Sequence, residues 1–152
     1  MSKLIATFFY VGHIPFAPGT FGSLAALPVW FALSFIGGWP LVVTCTVIAY
    51  FVGVWATAQE TSGSANHDPS EIVIDEVAGQ WLALLPLSMG LGVGGVLGIV
   101  IAFALFRFFD ITKLGPVGWA DRLNTPTGVM LDDVIAGAIS AIILIIIGFI
   151  WI

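Results

Sequence analysis

The run from Val134 to Ile152, VIAGAISAIILIIIGFIWI, holds no charged residue, and neither does a second run from Leu41 to Ala58. A helix that crosses the roughly 30 Å hydrocarbon layer of a bilayer needs about 20 largely apolar residues, so each run approaches a transmembrane span. Hydrophobic residues make up 59% of the 152-residue chain and charged residues 9%, with a mean hydropathy of +1.10. These values exclude an ordinary soluble domain.

Three shorter apolar segments accompany the two long ones. Leu24 to Gly37 follows a Gly/Pro-rich loop and closes at Gly37-Gly38-Trp39-Pro40, which carry helix-ending signals. Val77 to Leu87 is too short to cross a bilayer upright, so it is predicted to be a half-helix buried among the others. Leu91 to Phe106 is uncharged, with Gly94 and Gly98 at the spacing that lets membrane helices approach closely. The pattern predicts an all-α, polytopic membrane bundle of about five hydrophobic helices, some short or half-spanning, as one domain over residues 1–152. No repeat or low-complexity linker marks a second unit. Met1 to Gly12 reads as an interfacial or partly buried lead-in; its apolar core is short and Ala17-Pro18 is a poor signal-peptide cleavage site. The single Cys45 lies in an apolar helix, excludes an intramolecular disulfide and is expected to serve packing.

If the chain crosses at each apolar segment, the loops before the first, after the second and after the fourth share a side. Those loops, Pro15 to Ser23, Glu60 to Glu76 and Arg107 to Asp133, contain all nine acids together with Arg107, Lys113 and Arg122. Lys3 falls on that side as well. Basic residues bias a loop toward the cytoplasm, so the polar face is expected to be cytoplasmic, on a multi-pass protein whose first partner is the bilayer. A chain this acidic is not expected to bind nucleic acid, and its sequence leaves the oligomeric state open.

Two acidic doublets stand at the edges of apolar helices. In HDPSEIVIDEVAGQW, Asp75 and Glu76 are expected to open the third helix, with Gly79 one turn later. In GVMLDDVIAGAIS, Asp132 and Asp133 are expected to open the fifth, with Ala136 and Gly137 one turn later. Either doublet alone also fits a helix cap, since the dipole favours acids in a first turn by a few tenths to about 1 kcal/mol. Together, with small residues beneath each, they predict close helix packing that gathers four carboxylates. Like charges 4 Å apart cost roughly 4 kcal/mol at an effective dielectric of 20, so such a site requires protonation or a cation. Carboxylates without Cys or clustered His favour a hard ion, Mg²⁺ by default at a phosphate site and Mn²⁺ or Ca²⁺ otherwise.

FRFFDITKLGP places Arg107, Asp110 and Lys113 at three-residue spacing, near one another on a helix. Asp110 there either pairs with the flanking cations or takes part in chemistry, and Arg107 and Lys113 suit phosphate oxygens. In IPFAPGTFGSLAALP, Thr20 or Ser23 is a natural N-cap, and a helix start of this kind can cradle phosphate through backbone N–H groups. His67 beside Asp68 is a further proton-transfer or metal-ligand candidate, though a lone His is more often neither.

In order, PFAPGTFGSLAALP, HDPSEIVIDEVAGQW, FRFFDITK, the Asp121-Arg122 pair and GVMLDDVIAG closely resemble the phosphatidylglycerophosphatase A family, from about Gly12 to Gly137. The resemblance implies a bacterial inner-membrane, Mg²⁺-dependent phosphatase that converts phosphatidylglycerophosphate to phosphatidylglycerol and phosphate. Residue by residue it supports Asp68, Asp75, Glu76, Asp110, Lys113, Asp132 and Asp133, with Arg107 and Arg122 alongside. Expected roles are catalytic for Asp75, Asp110 and Asp132, and metal-ligating for Asp68, Asp75, Glu76, Asp132 and Asp133. Thr20, Ser23, Arg107, Lys113 and Arg122 are expected to bind the substrate phosphate. The chain departs from the family's Lys-Pro-x-Pro by reading Lys113-Leu114-Gly115-Pro116, which loosens the turn that places Lys113. No Cys-x₅-Arg loop and no Asp-x-Asp-x-Thr motif is present, which favours water over a covalent nucleophile while leaving an aspartyl-phosphate open. Divalent-cation transport and noncatalytic binding of acidic lipids stand as alternatives.

Overall fold

The computed structural model describes residues 1–151, all helix and connecting turns with no strand among them. Its helices are α1 (Ser2–Ala6), α2 (Pro18–Glu60), α3 (Ile74–Ser88), α4 (Gly95–Thr112), α5 (Pro116–Asp121) and α6 (Pro126–Trp151), with a 3₁₀ turn at Val11–His13. Three of these, α2, α4 and α6, are long and apolar enough to cross a membrane. Large apolar side chains such as Phe35, Ile36, Phe51, Phe149 and Ile150 are exposed on the outer surface, as expected where lipid rather than water is the solvent.

The helical run α2 is two helices. Its backbone leaves helical geometry at Gly38, with φ 62° and ψ −161°, a region that glycine enters without steric penalty. Gly22 and Gly53 are 31 positions apart, about 46 Å along an unbroken helix at 1.5 Å per residue. Yet a Cβ on Gly22 would lie 2.8 Å from Val73 and one on Gly53 would lie 3.3 Å from Ile74. The two arms, 18–37 and 39–60, therefore double back as a hairpin, and Gly37-Gly38-Trp39-Pro40 forms the predicted reversal.

Helix α3 is central and short. The carbonyl of Ala26 accepts a hydrogen bond from the Trp81 indole at 3.0 Å, and Ser88 Oγ accepts one from the Trp30 indole at 2.9 Å, so α3 is tied to the first arm along its length. On its other side a Cβ on Gly79 would lie 2.6 Å from the Asp133 carbonyl, and one on Gly137 would strike the backbone of Gly79. The small residues predicted beneath the acidic doublets thus meet each other across α3 and α6.

Several expectations are corrected. Helix α6 starts at Pro126, so Asp132 and Asp133 lie in its second turn and do not open it. The start is set earlier by Thr125, whose hydroxyl accepts the Gly128 N–H at 3.0 Å, followed by a proline in the first helical position. Neither Thr20 nor Ser23 caps α2; the cap position is Ala17, followed by Pro18, and Ser23 donates to the Gly19 carbonyl at 3.0 Å. Gly94 stands in open space at the α4 cap, while a Cβ on Gly98 would strike the Val93 carbonyl and lie 3.0 Å from Leu87 of α3, so only the second of the two glycines meets a neighbouring helix. The close glycine approach at that end is instead Gly92 against Gly148, where a Cβ on Gly148 would lie 2.8 Å from the Gly92 nitrogen. Helix α4 also runs past Phe106 to Thr112, because Phe108, Phe109 and Ile111 prolong its apolar pattern.

Candidate active site

The start of α2, the start of α3 and the end of α4 meet around an open cleft of about 330 Å³, lined by Ala17–Gly19, Asp68, Ile72, Asp75, Glu76, Arg107, Asp110 and Lys113, among others. Loops from three predicted polar segments therefore share one side. The N-terminal lead-in helps set the middle one: the Val73 N–H donates to the Ala6 carbonyl at 2.9 Å, and Gly12 lies so close to the backbone of Glu71 that a Cβ would clash.

Asp75 and Glu76 occupy the first turn of α3, where the helix dipole favours negative charge. Asp133 reaches them from α6, and one carboxylate oxygen from each of the three lies within 4.8 Å of the others. Asp75 and Asp133 are buried, at 7% and 2% exposure. Asp75 Oδ1 and Glu76 Oε2 have no hydrogen-bond partner. Buried carboxylates are normally paired with cations or coordinate metals, so these oxygens are free to serve as ligands.

A basic pair faces them from α4. Arg107 is ion-paired with Asp110 and lies 4.0 Å from Glu76, with its second terminal nitrogen 3.5 Å from Thr20 Oγ1. Lys113 contacts Asp132, Asp110 at 3.3 Å and Asp121 at 3.7 Å. Helix α4 ends on Lys113 itself, in a left-handed conformation with φ 50°, and Pro116 then opens α5. The departure at Leu114-Gly115 thus leaves the lysine held by three acids. Burial disfavours the Lys113 ammonium, but Asp133, Asp132 and Asp110 outweigh it and hold its pKa above the ordinary lysine value.

The expected residues divide. Asp75, Glu76 and Asp133 come together, and Arg107, Asp110 and Lys113 face them across the cleft. Asp132 turns to Lys113 and is not in the three-acid group. Asp68 lies on the rim with an exposed surface; crowding by protein raises its pKa, Lys113 opposes this, and Asp121 and Asp110 add to the rise. Thr20 reaches the site through Arg107, whereas Ser23 is buried one turn deeper with its hydroxyl engaged. Arg122 is exposed and outside the cleft lining, and His67 is exposed. Gly19 is a further member of the site: a Cβ there would strike Glu76 and lie 3.3 Å from Arg107. Its signal was a glycine just inside a proline-initiated helix. In the Asp121-Arg122 pair it is Asp121, whose neighbour carries the more conspicuous charge, that is directed at Lys113.

Residues 4–148 match the sequence profile of the family described as Phosphatidylglycerophosphatase A. A Phosphatidylglycerophosphatase A of Escherichia coli (strain K12) is 37% identical over 149 residues, covering 97% of this chain and 84% of the relative. Its counterpart from Haemophilus influenzae is 36% identical, covering 93% and 85%. A Bacteroides thetaiotaomicron protein provisionally named a phosphatidylinositol-3-phosphatase is 39% identical, covering 93% and 89%. No solved structure matches the chain. With nearly its whole length matched and acids facing paired cations at one end of an apolar helical bundle, the chain belongs to the phosphatidylglycerophosphatase A family of membrane lipid phosphatases.

Proposed function

We propose that this protein, as one unit over residues 1–152, hydrolyses the terminal phosphomonoester of phosphatidylglycerophosphate to phosphatidylglycerol and phosphate, with Mg²⁺, in phospholipid synthesis. The observation that carries the reading is the pair of unpartnered, buried carboxylate oxygens on Asp75 and Glu76 opposite Arg107, in a cleft open at the end of the bundle. The donor set fits a hard dication: three carboxylates, no Cys and no His. Asp75, Glu76 and Asp133 would hold the ion, which when bound supplies charge neutralisation on the phosphoryl oxygens.

The chain's own residues supply the rest. Arg107 and Lys113 grip the phosphoryl oxygens, Arg107 by its planar fork and Lys113 as a point charge. Asp110 and Asp132 aim these two cations, and Thr20 steadies the guanidinium from α2. Asp75 accepts the proton of the attacking water; the bond from phosphorus to the glycerol oxygen breaks, and that oxygen takes a proton from the solvent in the cleft. Asp68 at the rim is an outer ligand candidate. All four basic residues, Lys3, Arg107, Lys113 and Arg122, belong to segments on the cleft side, which supports a cytoplasmic active site at the bacterial inner membrane. Transport is disfavoured because the backbones of Gly79 and Gly137 meet one turn below the acids and leave no room for a polar route there.

The test is phosphate release by the purified chain in detergent micelles, with Mg²⁺ and with excess EDTA. Phosphatidylglycerophosphate and phosphatidylinositol 3-phosphate are assayed in parallel. Mg²⁺-dependent release from phosphatidylglycerophosphate is expected. Preference for the inositol lipid would reassign the substrate, and no release from either by monodisperse protein would leave lipid binding as the better reading.

A further inference from the structure

Helix α3 carries one polar residue in its apolar body, Gln80, and it is fully buried with neither amide atom hydrogen-bonded. A buried carboxamide without partners is disfavoured relative to an apolar side chain of similar volume, so packing alone does not account for a glutamine here. Its position does suggest an account. Gln80 lies four residues after Glu76, on the same helical face. Helical side chains lean toward the amino end of their own helix, which directs this amide up toward the turn that bears Glu76.

Two other buried groups of the site are also unpaired, Glu76 Oε2 and Arg107 Nε. They are complementary to glutamine: a carboxylate oxygen accepts only, a guanidinium N–H donates only, and a carboxamide offers one group of each kind. The helices are in register for it. Phe106, next to Arg107, packs so closely on Gly79, next to Gln80, that a Cβ on Gly79 would lie 2.5 Å from its ring, and Arg107 already approaches Glu76 to 4.0 Å.

We propose that Gln80 is a positioning residue whose carboxamide, unpaired in this structure, turns when the site is loaded to bridge its two halves, donating from Nε2 to Glu76 and accepting the Arg107 Nε–H at Oε1. The bridge fixes the carboxylate that faces the dication relative to the guanidinium that faces the phosphate. It rests on the reading of Asp75, Glu76 and Asp133 as metal ligands, and it assigns work to a residue that touches neither substrate nor metal.

The experiment is Mn²⁺ binding to the purified full-length chain in micelles, followed by electron paramagnetic resonance, together with thermal stability in EDTA and phosphate release. The variants are Gln80→Leu and, as an unbranched replacement of equal length, Gln80→Met. Loss of an outer partner of a metal ligand typically costs 10–100-fold in affinity or activity. Both variants are therefore expected to keep or raise the EDTA melting temperature while weakening Mn²⁺ binding about 10-fold. Adding Glu76→Gln to either is expected to cost no more than Glu76→Gln alone. Wild-type Mn²⁺ affinity in both well-folded variants overturns the role of Gln80 and leaves the metal site standing. Absence of Mn²⁺ binding by the wild type, or binding that survives Asp75→Asn with Glu76→Gln, overturns the metal-site reading and the bridge with it.

Discussion

The two acidic doublets look alike in sequence and live differently in the fold. Asp75 and Glu76 stand in the first turn of α3, where the dipole offsets part of their charge, and each keeps an oxygen unpaired. Asp132 and Asp133 sit one turn deeper in α6 and split: Asp132 is neutralised by Lys113, while Asp133 crosses to the first doublet. A pair of adjacent residues on a helix points about 100° apart, so two neighbours can serve two different partners. The lesson is that a doublet is not a unit of function. Here one doublet contributes both members to the acid cluster, and the other contributes one member and uses its neighbour to hold a cation.

The contrast can be broken most severely at Asp75 and Asp133. Asparagine at either position is expected to lower turnover by about 10³-fold, comparable to the loss of a charge-stabilising group in other active sites, while raising the melting temperature in EDTA because one of several crowded negative charges is gone. Thermal melts beside phosphate release check both halves; a fall in melting temperature would mean that the cluster is already neutralised inside the protein.

Next in size is the packing that brings the doublets together. Gly79→Ala or Gly137→Ala forces a methyl group into the facing backbone, and overpacking of this kind costs about 1–3 kcal/mol. Both are expected to lower stability and activity together, read as retained monodisperse protein after heating and as turnover. Stable, fully active alanine variants would show that the two acids meet without close helix contact.

Asp132→Asn is expected to act in the opposite sense to Asp133→Asn on stability. It removes one of three acids around Lys113, so the melting temperature falls by a few degrees, about what 1 kcal/mol yields in a chain of this size. Activity is expected to fall about 10–100-fold, as when the partner of a functional side chain is lost. Loss as deep as that of Asp75→Asn would return Asp132 to the acid cluster. The smallest effect belongs to Gly94→Ala, which meets nothing within 4 Å and is expected to change stability by under about 0.5 kcal/mol.

Much of this arrangement was legible from residue pattern. Uncharged runs marked the helices, Gly37-Gly38-Trp39-Pro40 marked the reversal, and three-residue spacing brought Arg107, Asp110 and Lys113 together. The misses share a cause. The first charge suggests a boundary for α6 at Asp132, but buried charge can lie inside a membrane helix when other helices cover it, and Thr125-Pro126 set the true start. Gly94 and Gly98 satisfy a spacing rule, yet only Gly98 meets a neighbouring helix, at Leu87, because which glycines meet depends on how helices cross; Gly92 with Gly148 is invisible to spacing within one segment. Likewise Arg122 stands out by its charge, while Asp121, itself exposed, is the one that approaches Lys113.

Helix α3 has 15 residues, about 22 Å at 1.5 Å per residue, against a hydrocarbon layer of roughly 30 Å. A helix this much shorter than the layer cannot reach both of its edges, so α3 serves one face of the bundle and its acidic first turn belongs to that face alone. A lipid substrate can then stay anchored by its tails and dip only its phosphate into the cleft. Encounter becomes a search in two dimensions, paced by lateral diffusion and by how many substrate molecules share the leaflet, and the released lipid slides away without ever entering water.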